Sequence, residues 1–321
     1  MPHRGLPAEP ESEFAPQHVV LPEAIFVSGV PRSGTTLVRE ILGKHSLVAI
    51  ATENHYMGYL VPRPGARRLV VRWGDPHDDA AIQRMLDQLY RESTDNPFNR
   101  RGAFWKWIRR NVSRPVAEQD LLATDRSEAE LYRAFLRMYA RQLGKIVIGE
   151  KTPAHIAWAH ELLAWYPTAR AVHVLRDPRA VFTSELKRRT TGAVEPAYRL
   201  LARLPPVLHV WVAIHVAWTW NRAVGAHRNL AAGHPNRYML LRFEDLVSDP
   251  DTRIPALCRW LGLEFEPEMM EQEVVSRGDH QGETGFDRGA VDRWRTRMLP
   301  RNERLICWLV GGRLTEMGYR R

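Results

Sequence analysis

A glycine-rich turn between a strand and a helix is the feature that most constrains the fold of this chain. Residues 24–29 (AIFVSG) are continuously apolar, which predicts a short buried strand that ends at Gly29. Residues 35–44 carry apolar side chains at helical spacing, which predicts a helix. The backbone amides of such a turn point inward, and the helix adds its positive N-terminal end. This context is typical of a phosphate-binding loop.

The loop itself, residues 29–36 (GVPRSGTT), departs from the loops that bind nucleoside triphosphates. Those loops carry a lysine before their Ser or Thr, and Thr35 stands at that position here. The positive charge comes earlier, as Arg32. We therefore predict a phosphate ligand that is bound without a metal ion, and no metal site. The predicted ligand contacts are Pro31, Arg32, Ser33, Gly34, Thr35 and Thr36.

Strands and helices alternate along the rest of the chain. Apolar runs predict strands at 145–148, 169–175 and 238–243, with a short strand-like run at 47–52. Helical spacing predicts helices at about 156–165, from Pro178 onward and at about 254–261. Asp177 is a good N-cap for the second of these helices, and Gly262 suits the end of the third. The alternation predicts the α/β class, with a central parallel sheet and helices on both faces.

The remaining segments are assigned by composition. Residues 56–140 contain no comparable strand and are rich in helix formers, so we expect an inserted helical region beside the sheet. Residues 1–22 lack the apolar stretch of a signal peptide and are expected to form a disordered lead-in. The prediction is a single P-loop domain over 23–321.

Charge and cysteine content constrain the function more loosely. The net charge of +9 suits a polyanionic ligand but does not choose among nucleotide, nucleic acid and acidic surface. We find no recognised nucleic-acid motif. Cys258 and Cys307 lie in apolar stretches and are interpreted as small core residues, so a reducing, cytoplasmic location is expected. The most apolar stretch, residues 206–220, is too short for a membrane span.

Two motifs resemble those of the P-loop sulfotransferases that use 3′-phosphoadenosine 5′-phosphosulfate (PAPS). PRSGTT at residues 31–36 resembles their 5′-phosphosulfate loop, and RDPRAVFTS at residues 176–184 resembles their 3′-phosphate motif. The details look closer to the tyrosyl-protein and carbohydrate branch of the family than to the cytosolic small-molecule branch. The resemblance implies transfer of a sulfuryl group from PAPS to a hydroxyl or amine, with release of PAP and with no metal required.

The second motif also has a physical rationale. Arg176 leaves the carboxyl end of a predicted strand, where ligands bind in open α/β sheets. Ser184 lies two turns into the next helix, and helix side chains tilt toward the N-terminus. Both can therefore reach one anion. The family also closes its nucleotide site with a late basic segment that contains Trp, which implies contacts from Arg293, Trp294 and Arg295.

Two residues after the first helix compete for the role of general base. The offset of Glu53 from the loop resembles that of the catalytic glutamate in the tyrosyl-protein branch, but a carboxylate near pH 7 needs a raised pKa or a loose transition state. His55 is the rival, since imidazole is a natural base at that pH. Lys151, just after the second predicted strand, matches a family lysine that stabilises the transition state, and its compact ammonium suits that role.

Other functions stay open at this point. A P-loop kinase using ATP and Mg²⁺ on a small metabolite is disfavoured by the missing lysine, and an inactive nucleotide- or nucleic-acid-binding protein by Glu53 and Lys151. The acceptor is expected to be a small molecule, a carbohydrate or a peptide, while its identity and the oligomeric state are not predicted. Residues 104–110 (FWKWIRR) could face a sugar, a phenol or an acidic peptide, but their pattern favours an amphipathic helix with its apolar side in the core.

Overall fold

The computed structural model describes residues 21–58, 72–191, 203–272 and 284–320. Apart from its last two residues, the predicted lead-in over 1–22 lies outside this part of the chain.

Five parallel strands form the central sheet, in the spatial order β2-β3-β1-β4-β5. The strands are β1 (Ala24–Gly29), β2 (Val48–Ala51), β3 (Val147–Lys151), β4 (Arg170–Leu175) and β5 (Tyr238–Arg242). The prediction of a parallel sheet is thus confirmed. The predicted end of β3 was wrong, because Gly149, Glu150 and Lys151 continue the strand beside β1 instead of following it. Gly149 fits this position because a side chain there would overlap the backbone of β1.

The register brings the carboxyl ends of β1, β3 and β4 to the same edge of the sheet. Gly29, at the end of β1, lies beside Val174 of β4, while Val27 lies beside Lys151 of β3. The phosphate loop therefore follows β1 between the ends of β3 and β4, and Arg176 lies just beyond the end of β4. This is the position where ligands bind in open parallel sheets.

Helices cover both faces of the sheet, as predicted. They are α1 (Thr35–Lys44), α2 (Asp79–Tyr90), α3 (Ala103–Asn111), α4 (Arg114–Leu122), α5 (Glu128–Gln142), α6 (Ala159–Trp165), α7 (Pro178–Thr190), α8 (Pro205–Gly233), α9 (Phe243–Ser248), α10 (Pro250–Leu261), α11 (Arg293–Arg297), α12 (Pro300–Val310) and α13 (Arg313–Glu316). Short 3-10 turns occupy Pro97–Arg100, Pro153–Trp158, Pro267–Met270 and Arg288–Ala290.

The two faces of β1 show how these helices are distributed. Ile25 and Val27 pack in a core with α1 and α10. Ala24 and Phe26, which alternate with them, pack in a larger core with helices that include α5, α6 and α8. Because successive strand residues point to opposite faces, the continuously apolar sequence of β1 is what a strand buried on both sides requires.

Local capping explains several helix boundaries. Asp177 accepts a hydrogen bond from the Arg179 amide at 2.8 Å and caps α7, with Pro178 at the first helical position, as predicted. Gly262 ends α10 in the left-handed conformation, with φ of 74°, also as predicted. The predicted helix over 156–165 was wrong at its start, because the 3-10 turn Pro153–Trp158 precedes α6.

The described chain between β2 and β3 contains helices and no strand, which agrees with the predicted inserted helical region. Trp105 on α3 is fully buried and makes edge contacts with Phe98, Phe104 and Phe135. An aromatic core therefore fixes α3 beside the sheet.

The long helix α8 contains the apolar stretch noted in the sequence. Within the described ranges, no helix combines the length and apolar character needed to cross a membrane. Cys258 is buried in the core beside Met269, and Cys307 is half-buried; neither forms a disulfide within the described residues.

Candidate active site

The phosphate loop after β1 has the shape of an anion cradle. Arg32 and Gly34 adopt positive φ angles of 73° and 99° on either side of Ser33, which turns the chain tightly. Ser33 is fully buried, and its hydroxyl has no hydrogen-bond partner within the described residues. No described side chain caps the N-terminus of α1. These unsatisfied donors fit a phosphate group.

The loop and the motif on α7 are in direct contact. Arg32 Nε donates to Ser184 Oγ at 3.1 Å, and Arg176 Nη1 donates to the carbonyl oxygen of Arg32 at 3.3 Å. The structure thus brings together Arg32, Arg176 and Ser184, which the sequence predicted from two separate motifs.

Arg176 is held from several sides. Its Nη2 donates to the Ala290 carbonyl at 2.6 Å, its guanidinium lies 4.2 Å from the centroid of the Phe243 ring, and its own carbonyl accepts from Trp220 Nε1 at 3.0 Å. Its buried Nε has no partner in the described part of the chain. Sequence patterns did not single out Ala290, Phe243 or Trp220, because each meets Arg176 only through the fold.

The charge environment of Arg176 is unusual. Burial lowers the pKa of Arg176 to about 10, and the charges of Arg32 and Arg293 act in the same direction, against Glu244, which acts to raise it. Arg176 therefore stays cationic at neutral pH but sits among other cations. Three guanidinium groups gathered at one place favour an anionic ligand.

The three predicted residues of the late basic segment, 293–295, differ in how they relate to Arg32 and Arg176. Arg293 bonds to Asp287 at 2.7 Å and lies near enough to Arg176 to affect its pKa. Trp294 is buried and packs against Arg179, whose guanidinium lies 4.2 Å from its ring centroid. Arg295 is largely exposed and bonds to Asp292. Of the three predicted residues, the structure brings only Arg293 to Arg176.

Glu53 and Lys151 form an ion pair where β2 and β3 end. Lys151 Nζ donates to Glu53 Oε1 at 2.8 Å; the Lys151 side chain is 7% exposed and that of Glu53 is 43% exposed. Burial acts to raise the pKa of Glu53, but Lys151, His55 and Arg32 together outweigh it, so the pKa lies below its ordinary value. This direction is opposite to the raised pKa considered for a carboxylate base.

His55 stands beside this pair. Its Nδ1 lies 3.2 Å from the Gly58 carbonyl, which can only accept, so Nδ1 carries the proton and Nε2 is the basic nitrogen. Nε2 lies 3.9 Å from Glu53 Oε2. Burial, followed by the charge of His155, lowers the pKa of His55 to about 4, so the ring is neutral at pH 7. His55 also adopts a positive φ of 45°, which is unusual for this residue.

Buried polar contacts fix the segment that carries Glu53 and His55. The Asn54 side chain donates to Tyr132 Oη at 2.9 Å and accepts from the Tyr56 amide at 2.9 Å, while its carbonyl accepts from Trp105 Nε1 at 2.7 Å. Asn54 is fully buried. The Glu53 and His55 side chains therefore project from a backbone that is tied to α3 and α5.

A second buried pair lies under the same segment. His155 Nδ1 bonds to Glu150 Oε1 at 2.8 Å, and the Met57 amide donates to His155 Nε2 at 3.3 Å. Both side chains of the pair are fully buried. No local sequence pattern marks this pair or Asn54, since only the folded chain brings these residues together.

An open cavity of about 480 Å³ adjoins the Glu53–Lys151 pair. It is lined by Glu53, His55, Asn99, Arg100, Gly102, Ala103, Lys106 and Arg109. The stretch 104–110 lies in the amphipathic helix α3. Phe104, Trp105 and Ile108 are buried, whereas Lys106 and Arg109 line the cavity. Glu53 thus lines this cavity and lies near enough to Arg32 of the loop for Arg32 to affect its pKa.

Comparisons with known proteins show which sequences and folds this chain resembles. A family model described as "Sulfotransferase family" matches residues 22–267. The chain is 24% identical, over 77% of its length, to a Mycobacterium tuberculosis protein named omega-hydroxy-beta-dihydromenaquinone-9 sulfotransferase Stf3. It is 25% identical, over 93% of its length, to nodulation protein NoeE of Sinorhizobium fredii. It spans 65% and 66% of the lengths of these two curated relatives.

Solved structures share the fold. The sulfotransferase domain from the curacin biosynthetic pathway aligns with a TM-score of 0.55 and 18% identity, covering 94% of this chain and 99% of that domain. The sulfotransferase domain of the Synechococcus PCC 7002 olefin synthase aligns with a TM-score of 0.53 and 19% identity, covering 93% and 94%. At these identities the likeness concerns the α/β architecture.

Proposed function

The chain belongs to the sulfotransferase family, and from this premise we propose that it transfers a sulfuryl group from PAPS to a hydroxyl or amine of an acceptor, releasing PAP. The family is one of transferase enzymes; the donor, the mechanism and the site residues given below are part of the proposal.

The observation that carries the proposal is the contact between the two anion-binding motifs. Arg32 bonds to Ser184, Arg176 bonds to the Arg32 backbone, and Arg293 lies near enough to affect the pKa of Arg176. A doubly phosphorylated adenosine has negative charge at both ends of its ribose, so it can neutralise a cation cluster shared by two strand ends. We assign the 5′-phosphosulfate to the loop over 31–36, and the 3′-phosphate to Arg176 and Ser184.

The Glu53–Lys151 pair supplies a proton acceptor and a positive charge for this reaction. PAPS, when bound, supplies the sulfuryl group and a phosphate leaving group. In our proposal Glu53 accepts the acceptor's proton and Lys151 stabilises negative charge that develops at the reacting oxygens. Electrostatic stabilisation and positioning by fixed cations dominate comparable phosphoryl transfers.

The lowered pKa of Glu53 limits how it can act as a base. An ionised carboxylate of low basicity accepts a proton effectively only when the acceptor oxygen has already lost electron density to sulfur. This situation corresponds to a loose transition state with late proton transfer. The neutral His55, with Nε2 3.9 Å from Glu53 Oε2, is the alternative base, and mutation of each residue in turn distinguishes the two.

Binding of PAP tests the donor assignment. We expect PAP to raise the melting temperature in the presence of EDTA, since a ligand at 100 times its Kd stabilises the folded state by about 2.7 kcal/mol. AMP, which lacks the 3′-phosphate, should bind more weakly. Equal binding of PAP and AMP would remove the 3′-phosphate site from the proposal.

The same assay separates this proposal from a small-metabolite kinase. A kinase should be stabilised by ATP with Mg²⁺ and little affected by PAP, whereas the proposed enzyme should show the reverse. A transfer screen with ³⁵S-labelled PAPS over phenols, sugars, peptides and lipid alcohols would then establish activity. Binding of PAP without transfer to any class would favour an inactive nucleotide-binding protein.

A further inference from the structure

We infer, on the premise of the proposed function, that the acceptor of this enzyme carries an anionic group, a carboxylate, phosphate or sulfate ester, close to the hydroxyl that receives the sulfuryl group. The inference rests on the cavity of about 480 Å³ that adjoins the Glu53–Lys151 pair.

The position of the cavity makes it the acceptor site. Glu53 and His55, the two candidate bases, belong to its lining. Lys151 bonds to Glu53 at 2.8 Å, and Arg32 of the phosphate loop is close enough to affect the Glu53 pKa. A molecule in the cavity can therefore present a hydroxyl to Glu53 next to the donor loop.

The lining of the cavity is cationic. Arg100, Lys106 and Arg109 contribute three positive charges, against the single carboxylate of Glu53. That carboxylate is already bonded to Lys151. The surplus positive charge in a concave site favours a negatively charged ligand and would also attract one from solution.

Two of these cations are available for a ligand. Lys106 is exposed and has no ion pair among residues of the described ranges. Arg109 donates to the Leu89 carbonyl at 3.3 Å and to Asn99 Oδ1 at 3.1 Å, and these neutral acceptors leave its charge uncompensated while holding its guanidinium in place. A preoriented arginine beside a flexible lysine is suited to binding a carboxylate or phosphate.

The cavity is poorly suited to an apolar acceptor. Ala103 contributes the one apolar side chain of the lining that the structure describes. Phe104 and Trp105 of α3 are buried in the core, and Trp107 packs against it. A long hydrocarbon alcohol would gain little from burial there, and would leave the cations without partners. The relative named as a dihydromenaquinone sulfotransferase thus gives no reason to expect a similar acceptor here.

Binding to the PAP-saturated protein tests the inference, because PAP occupies the donor site and leaves the cavity for other anions. We would titrate glucose, glucose 6-phosphate and glucuronate by calorimetry in 150 mM NaCl, and then the phenols tyrosol and 4-hydroxyphenylacetate. In each series the charged group replaces or esterifies the primary alcohol of the neutral member, and the other hydroxyl groups are shared. The two charged sugars separate phosphate from carboxylate recognition. Farnesol represents an apolar alcohol. We expect the anionic members of at least one series to bind about tenfold tighter than the neutral member, the effect of one charge-assisted hydrogen bond.

Variants of α3 show whether the cavity is responsible. Lys106→Gln and Arg109→Gln should each reduce the preference for the anion at least threefold, and Lys106→Glu should abolish it. Arg110→Gln is the matched control, since Arg110 is an exposed cation on the same helix outside the cavity lining. All variants should bind PAP as the unmodified protein does, which also shows that they are folded.

Several results would overturn the inference. Equal or tighter binding of glucose, tyrosol or farnesol, no binding of any anionic probe, or an anion preference that survives in Lys106→Glu would each do so. If PAP itself fails to bind, the proposed function falls and this inference with it. If PAP binds and the anion preference is absent, only the inference falls.

Discussion

Glu53 illustrates how much of the proposed chemistry depends on one side chain and its partner. Its bond to Lys151 keeps the carboxylate ionised and oriented at the cavity, while the exposed part of the side chain is accessible to a substrate. The pair therefore holds the unprotonated form that a base requires, at the cost of basicity.

Replacing Glu53 by Gln should lower turnover about 100-fold or more, because the amide cannot accept the proton. The affinity for PAP should stay nearly unchanged, since Glu53 is not part of the predicted nucleotide site. Single-turnover transfer from labelled PAPS and calorimetry with PAP measure the two quantities.

His55→Asn is the companion variant, because Asn tolerates the positive φ of 45° found at this position. If His55→Asn abolishes transfer and Glu53→Gln does not, the assignment of the base is reversed. If neither variant affects turnover, both residues leave the mechanism.

The pH profile of kcat/KM gives independent information on the base. A base loses activity as the pH falls through its pKa, and here the pKa of Glu53 lies below 4.5 and that of His55 is about 4. We therefore expect kcat/KM to show no acidic limb between about pH 5.5 and 8. A limb near pH 6.5 would indicate a histidine with an ordinary pKa and contradict the lowered pKa of His55.

Arg176 should contribute strongly to donor affinity. Arg176→Ala is expected to weaken PAP binding by about 1.5–3 kcal/mol, the range for a charged hydrogen bond, and to reduce the preference for PAP over AMP. Calorimetry with both nucleotides measures this change. Because Arg176 also bonds to Ala290, a denaturant curve should accompany the measurement. A weakening that is equal for PAP and AMP would assign Arg176 to another part of the nucleotide.

At the scale of secondary structure, the start of α3 determines where Glu53 lies. Gly102 precedes α3 with a φ of 123°, and a Cβ atom there would overlap the carbonyl oxygen of Glu53. The Phe104 amide also donates to that carbonyl at 3.4 Å. The inserted helical region is therefore built against the segment that carries the candidate base.

Gly102→Ala should accordingly displace Glu53 and reduce turnover at least tenfold while PAP affinity is retained, since small displacements of reacting groups have effects of this order. Gly43→Ala on α1 is the control, because an added methyl group there meets no atom within 4 Å. Transfer kinetics and PAP titration of both variants test the prediction. Full activity in Gly102→Ala would show that the backbone at Glu53 adapts freely.

The sequence predicted the elements better than their contacts. The helix over 35–44 has the predicted bounds, and Asp177 and Gly262 act as the predicted caps, because these signals are local. The extension of β3 to Lys151 was missed, since Gly149 and Glu150 are poor strand formers that pairing with β1 retains. Tertiary contact overrode local propensity there.

The same difference between local signals and tertiary contacts holds for the candidate site. The motifs identified Arg32, Arg176 and Ser184, and the structure places them in contact. The residues that support them, such as Trp220, are distant in sequence and carry no local signal. The same holds for Asn54 below Glu53. The roles of the predicted site residues, and the single domain over 23–321, stay predictions.

At the scale of the whole molecule, buried histidines link stability to pH. His173 is buried in the sheet, with Nδ1 2.7 Å from Tyr238 Oη. Burial, with a smaller effect of His227, lowers the pKa of His173 to about 3. In the unfolded chain His173 binds a proton below about pH 6.5, whereas in the folded chain its side chain stays neutral down to about pH 3. The stability that His173 contributes is therefore fully present above about pH 6.5 and is lost as the pH falls toward 3.

We expect the free energy of unfolding to fall by about 1.4 kcal/mol per pH unit from this residue between pH 6.5 and 3. Urea unfolding at pH 7 and pH 5 measures the loss. His173→Asn, which cannot be protonated, should lose less stability over this interval. The same pH dependence in His173→Asn would show that another group is responsible.

The order of the sheet, β2-β3-β1-β4-β5, has a consequence for how such an enzyme can change its acceptor. On one side of β1, Lys151 ends β3 and Glu53 lies just beyond the end of β2, with the helical insertion beside them, whereas on the other side Arg176 lies just beyond the end of β4. In our proposal, the donor-binding residues follow β1 and β4, whereas the residues that act on the acceptor lie at the ends of β2 and β3. Grafting the chain between β2 and β3 from a relative should exchange the acceptor and leave the nucleotide site intact.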